Sequence, residues 1–92
     1  MKTNYLVCYD IREPRRLRRV FGFTKRYGLH LQYSVFYCRF TWQELQRFKL
    51  QLRELIDDKE DDIRIYPLPE KIRLIVMGCG DRLPEGANIF LN

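Results

Sequence analysis

Residues 3–11 read Thr3-Asn4-Tyr5-Leu6-Val7-Cys8-Tyr9-Asp10-Ile11, a run of β-branched, aromatic and apolar side chains with little polar alternation. Such a run predicts a central strand buried on both faces. Tyr5, Val7 and Tyr9 fall on one side of it, Leu6 and Cys8 on the other. Arg12-Glu13-Pro14 then predicts a turn, with Pro14 at the first position of a helix, where its missing N–H costs nothing. Leu17, Val20, Phe21 and Thr24 recur at helical spacing and mark the apolar stripe of a helix over 14–27. Gly28 is placed to stop it.

Residues 29–40 form a second extended run, either one bent strand or two strands broken near 32–34. Thr41 and Glu44 have the spacing of a capping box, and Phe40 and Leu45 that of a hydrophobic staple. Leu45, Phe48, Leu52, Leu55 and Ile56 give the apolar face of a helix over 42–57. The acidic run 57–62 reads most simply as a solvated turn. Residues 63–68 alternate as a strand, and 73–77 as another close enough to form a hairpin with it. The order strand, helix, strand or strands, helix, strand, strand predicts a ferredoxin-like α+β fold, an antiparallel sheet with two helices on one face. The first strand reads apolar on both sides, so the helix-free face needs a cover. A second copy of the chain, making a homodimer, is the simplest one. The domain is expected over 1–80. The tail 81–92, ending in Ile89-Phe90-Leu91, is expected as an edge strand or partner contact.

The 92 residues suffice for one domain with a modest core, and 46% hydrophobic content excludes a disordered chain. No apolar run is long enough to span a membrane. The start of the chain has no signal-peptide layout, so a cytoplasmic location is expected. Cys8, Cys38 and Cys79 have no C-x-x-C spacing, which argues against a disulfide scaffold or a zinc site; Cys8 and Cys38 read as buried thiols.

The net charge of +5 is concentrated in residues 10–26. There, Arg12, Arg15, Arg16, Arg18, Arg19, Lys25 and Arg26 stand against only Asp10 and Glu13, while the other 75 residues balance at ten of each sign. A clustered basic segment marks a polyanion partner, and arginine suits phosphate through its planar fork of donors. The same clustering argues against a small-molecule regulatory domain. There is no phosphate-cradling glycine loop. The single histidine, His30, supports no nucleophilic triad. Asp10 is the notable acid, a charge at the end of an otherwise apolar strand, which must be solvated, paired or metal-bound. Pairing with Arg12 or Arg16, or capping of the helix start, is the plain alternative. The functional reading is a Mg²⁺ ligand, since magnesium takes one or two carboxylates and bridges to phosphates. Two Asp10 side chains across a dyad make a better site than one.

Tyr9-Asp10-Ile11, Arg19-Val20 in the Arg-rich helix, Gln32-Tyr33-Ser34-Val35-Phe36 and Ile63-Arg64-Ile65-Tyr66-Pro67-Leu68 together resemble the CRISPR-associated endoribonuclease family, the second core protein of CRISPR adaptation. The resemblance covers nearly the whole chain. It implies a homodimer that acts in spacer acquisition for antiviral defence, holding duplex DNA and bridging dimers of the CRISPR integrase. It also implies a metal-dependent endonuclease acting on single-stranded RNA or double-stranded DNA. Asp10 then matches the metal-binding and catalytic position. Arg19 and Phe36 match positions linked to nuclease function or dimer shape, with Tyr9 and Ser34 beside them as shaping residues. His30 stands where some relatives carry arginine, and Tyr37 where an acid is frequent. The alternatives are a DNA-binding scaffold without catalysis and an RNA-interferase-like toxin on the same fold.

Overall fold

The computed structural model describes residues 1–71 together with Ile75 and Met77. Its elements are β1 (Thr3–Asp10), α1 (Pro14–Lys25), β2 (Gly28–Gln32), β3 (Val35–Phe40), α2 (Trp42–Arg53) and β4 (Asp62–Leu68). The strands form one sheet in the order β2-β3-β1-β4, each neighbouring pair antiparallel. Both helices cover one face, giving the ferredoxin-like α+β arrangement.

The first strand is central, as its composition predicts. Val7 stands between Phe36 of β3 and Ile65 of β4, and these three share the helix-covered face. Val20 of α1 and Leu45, Phe48 and Leu52 of α2 close over them. Phe48 is the hub. Its ring stacks on Phe23 at 5.4 Å between centroids and lies 4.9 Å from Phe40 and 5.4 Å from Tyr27. One side chain thereby ties α1, β3 and α2 together, and truncating it to alanine costs about 3–5 kcal/mol.

The local signals at the helix starts hold. Thr41 Oγ1 accepts from the Glu44 N–H at 3.1 Å, and Glu44 Oε1 accepts from the Thr41 N–H at 2.8 Å, a complete capping box. Pro14 opens α1 behind Glu13, whose carboxylate accepts from the Arg16 N–H at 2.8 Å.

Residues 29–40 are two strands with a turn at Tyr33-Ser34, the second of the two expected arrangements. Other details differ from the expectation. Gly28 opens β2 rather than capping α1, and a Cβ there would meet the Tyr37 carbonyl and the Cys38 sulfur. The close approach of β2 to β3 is thus what calls for glycine. The second helix stops at Arg53 instead of residue 57. The Asp57 N–H, which would continue it, donates to Asp61 at 2.8 Å instead. Leu55 and Ile56 pack on the core from the following loop. Leu17 is not in the buried stripe but is 38% exposed, and Phe23 takes the place expected for it.

The helix-free face is mixed rather than uniformly apolar. Leu6, Cys8, Leu29 and Val35 are half-buried there, while Tyr66 is exposed. Cys8 is therefore less sheltered than the sequence suggests. Cys38, on the covered face, is buried, and burial pushes its thiol up to about 12. Asn4 is a buried amide on the helix-free face. It accepts from the Tyr37 hydroxyl at 2.7 Å and donates to the Pro69 and Glu70 carbonyls at 3.2 and 3.1 Å. The chain leaving β4 is thereby fastened to β1. The tail 81–92 lies outside the described residues, as does most of 73–77, where Ile75 and Met77 alone are described.

Candidate nucleic-acid interface

The helical period separates the basic residues of α1 from its core stripe. Arg15, Arg18, Arg19 and Arg26 recur at i, i+3, i+4 and i+11, and all four are exposed, opposite the buried Val20 and Thr24. Gly22 lies amid them with nothing within 4 Å of where its Cβ would be. The arginine face therefore has a bare centre, into which a sugar-phosphate chain can come close to the helix. Lys25 lies on the flank, its ammonium 5.8 Å from the centre of the Phe21 ring. Arg12 is exposed in the turn before the helix.

Arg16 is different. Its guanidinium forks onto Asp61, Nε donating to Oδ2 at 2.7 Å and an Nη to Oδ1 at 3.1 Å, and it reaches Glu60 at 3.2 Å. The Asp61 side chain is 0% exposed and that of Arg16 only 21%. Asp61 takes two further hydrogen bonds, from the Arg12 N–H at 3.0 Å and the Asp57 N–H at 2.8 Å. The Arg16 guanidinium, first among these donors, holds the Asp61 carboxyl well below the usual carboxylate range. Arg16 is itself held protonated beyond its ordinary value by the same bond. The acidic segment is the solvated turn expected at Asp58, Lys59, Glu60 and Asp62, but Asp61 departs from it. The segment contains a buried latch that fixes the β1–α1 turn to the start of β4. The sequence grouped Arg16 with the phosphate-facing arginines, but the fold engages it internally. Asp61 had no signal of its own, being one of five acids in a row of six residues.

The latch also decides the surroundings of Asp10. Arg16 is engaged elsewhere, and Glu13 caps the helix, held below the carboxylate range by the Arg16 and Arg15 N–H groups. Among the described residues no side chain forms a hydrogen bond or ion pair with the exposed Asp10 carboxylate. Its direct neighbour across the ladder is Asp62, whose carboxylate accepts from Arg64 Nε at 3.0 Å. Strand alternation puts Asp10 on the helix-free face. Its oxygens are of the hard, anionic type that magnesium prefers. Among the described residues there is no cluster of three or more acids, histidines or cysteines able to hold a metal. One chain thus offers the Asp10 carboxylate beside that of Asp62, both of the type the ion takes, with no third ligand among the described residues.

Tyr9, Ser34 and Phe36 come together one residue before Asp10, on the opposite face. The Tyr9 N–H donates to the Ser34 carbonyl at 3.1 Å, and its ring stacks toward Phe36 at 6.2 Å. Tyr9 and Ser34 border an apolar groove of about 500 Å³, lined also by Leu17, Arg18, Phe21, His30 and Tyr33, with Phe36 behind its wall. His30 lies against its wall. The ring stacks on Phe36 at 4.8 Å, meets Phe21 edge-on at 5.1 Å, and its Nε2 is 2.8 Å from the Tyr33 carbonyl. The sequence named Tyr9, Ser34 and Phe36 but did not reveal the groove, because Leu17 and Phe21 read as core.

Among the described residues no helix is long and apolar enough to cross a membrane. The sequence profile of the family described as CRISPR associated protein Cas2 matches residues 3–73. A CRISPR-associated endoribonuclease Cas2 of Thermodesulfovibrio yellowstonii is 50% identical over 90 residues, covering 98% of this chain and 99% of that one. Another of that name, from Nitrosomonas europaea, is 42% identical over 91% of this chain and 79% of its own. The crystal structure of Streptococcus pyogenes Cas2 superposes with a TM-score of 0.75 at 35% identity, covering 82% of this chain and 99% of that one.

Proposed function

The chain belongs to the Cas2 family of CRISPR-associated proteins, and we propose that it acts in spacer acquisition as a homodimer that grips nucleic acid, joins integrase subunits and hydrolyses phosphodiesters with magnesium at Asp10. One observation carries this reading. An exposed carboxylate without an internal partner among the described residues ends a central strand, and the next sixteen residues present six exposed cations, Arg12, Arg15, Arg18, Arg19, Lys25 and Arg26. Neither the acid nor these cations are consumed by the fold, while Arg16 is.

Each part has a stated task. The arginine arc holds the phosphate backbone, with Gly22 permitting close approach. Asp10 lies on the helix-free face, where a second copy would cover Leu6, Cys8 and Val35 and bring a second Asp10 toward the dyad. These carboxylates would hold Mg²⁺, which when bound would offset the charge that develops on the phosphate under attack. Arginines beside it offset the same charge, without needing to reorganise during the reaction. The relatives' name, endoribonuclease, supports a nuclease activity, and both the arc and the dyad suit a long polyanion.

The test is Asp10→Asn in the purified dimer, measured for cleavage and for duplex binding. Cleavage should fall by at least about 100-fold, the scale of losing a principal electrostatic group. Duplex binding should persist, with log K falling against log salt at a slope of about −5 for six phosphate contacts. Wild-type cleavage by the variant would remove Asp10 from the chemistry, leaving a DNA-binding scaffold. A flat salt response would remove the grip itself.

A further inference from the structure

We propose that the groove between α1 and the β2–β3 turn is a stacking site for an unpaired base of single-stranded RNA. This rests on the reading that the chain binds nucleic acid, and it adds a base contact to the backbone contacts argued above.

Three observations lead to this occupant. First, the walls are flat rings: Phe21, His30, Tyr9 and Tyr33 line a space of about 500 Å³, within the usual size of a small-ligand site. Bases stack on such rings irrespective of sequence because every base has a π-face. Second, Tyr33 is 86% exposed at the tip of the turn, with no ring contact to any described residue. The fold does not use this ring. Its carbonyl, however, is tied to His30 Nε2 at 2.8 Å, so the turn that carries it is held. Third, the groove borders the basic arc. Arg18 belongs to both, and Lys25 sits over Phe21. A strand whose phosphates follow Arg15, Arg18 and Arg19 thus passes the mouth of the groove, where a base turned out of the strand finds an apolar, aromatic pocket. Duplex bases are paired and stacked and cannot enter. The groove opens on the helix-covered side, so a dimer formed through the helix-free face leaves it accessible.

The experiment is fluorescence anisotropy with a labelled oligouridylate of about 12 nucleotides, within the site sizes of single-strand binders. It is compared with an abasic strand of the same backbone and with a duplex DNA of equal length. Wild-type protein should bind the oligouridylate about 10-fold tighter than the abasic strand, as one stacked base provides. Tyr33→Ala should abolish that difference and leave duplex binding as it was. Tyr33→Trp should restore it and add a quenchable fluorescence, set against the signal of Trp42, the one tryptophan in the chain. Because Tyr33 is a solvent-exposed ring, these variants should fold, which circular dichroism checks. Equal binding of the base-bearing and abasic strands, or an unchanged preference in Tyr33→Ala, overturns the stacking site while the backbone grip stands. A change in sedimenting mass on Tyr33→Ala without loss of RNA preference assigns the groove to a chain–chain contact and also overturns it. Failure of wild type to bind either strand or duplex overturns the functional reading and this inference together.

Discussion

At the end of β1, Asp10 is exposed and meets no donor among the described residues; in the loop before β4, the Asp61 side chain is buried and accepts four hydrogen bonds. Both carboxylates adjoin the same basic segment, and both belong to stretches of sequence that invite an ion-pair reading. The difference is that the Arg16 fork, the Arg12 N–H and the Asp57 N–H all converge on one of them. A buried charge persists only when its lone pairs are met, and Asp61 is met completely. Asp10 is left for something outside the chain. The comparison teaches that within one charge cluster the fold sorts structural ions from available ones, and that the sorting is by geometry rather than by composition.

The largest effect expected from breaking this contrast is at Asp61. Asp61→Ala removes one partner of a buried pair, leaving the Arg16 guanidinium with the exposed Glu60 alone and two backbone N–H groups unmet. Its melting temperature should fall by at least about 10 °C for a domain of this size. A drop of only a few degrees would mean that the latch is dispensable and that Arg16 is as available as its neighbours.

Acid should reproduce this loss in the wild-type protein. In the unfolded chain the Asp61 carboxyl titrates near pH 4, whereas in the fold it lies lower, chiefly through Arg16. Its ionised form therefore stabilises fully above about pH 4, and that contribution is lost as the pH falls toward the folded-state value. The gap in melting temperature between wild type and Asp61→Ala should be constant above about pH 5 and narrow below about pH 4. A gap that stays constant to lower pH would show that the interaction is not ionic.

The smallest effect belongs to Asp10. Asp10→Asn should change the melting temperature by less than about 3 °C, as expected for an exposed side chain without partners. Neutralising it also relieves repulsion from Asp62, its direct neighbour in the ladder, since like charges so placed repel. A large loss of stability would mean that Asp10 has a structural role, and the contrast with Asp61 would disappear.

Much of the fold is legible along the chain because its signals are short-ranged. The capping box needs only Thr41 and Glu44, three residues apart, and Pro14 marks the start of α1 by its own ring. The central strand shows in its uninterrupted apolar run. The helix ends were not legible. Past Arg53 the Asp57 N–H is engaged by Asp61, an acid the local pattern does not single out, and the role of Gly28 depends on how closely β3 passes. The site divides in the same way. Asp10 and the basic arc stand out by position and period, whereas the groove needs Leu17 and Phe21 to be left partly uncovered, which a helical stripe does not disclose.

By itself the sequence determined the central strand, the two helices with the proline that starts one and the capping box that starts the other, the concentration of positive charge on one segment and the lone acid before it. These follow from backbone preferences and side-chain periods acting over a few residues. Only the tertiary structure decided that Arg16 lies against an acid 45 residues away, that the remaining cations face water, and that a ring-lined groove opens beside them. Those outcomes depend on which distant surfaces meet when the core closes, and no pattern confined to neighbouring residues encodes that meeting.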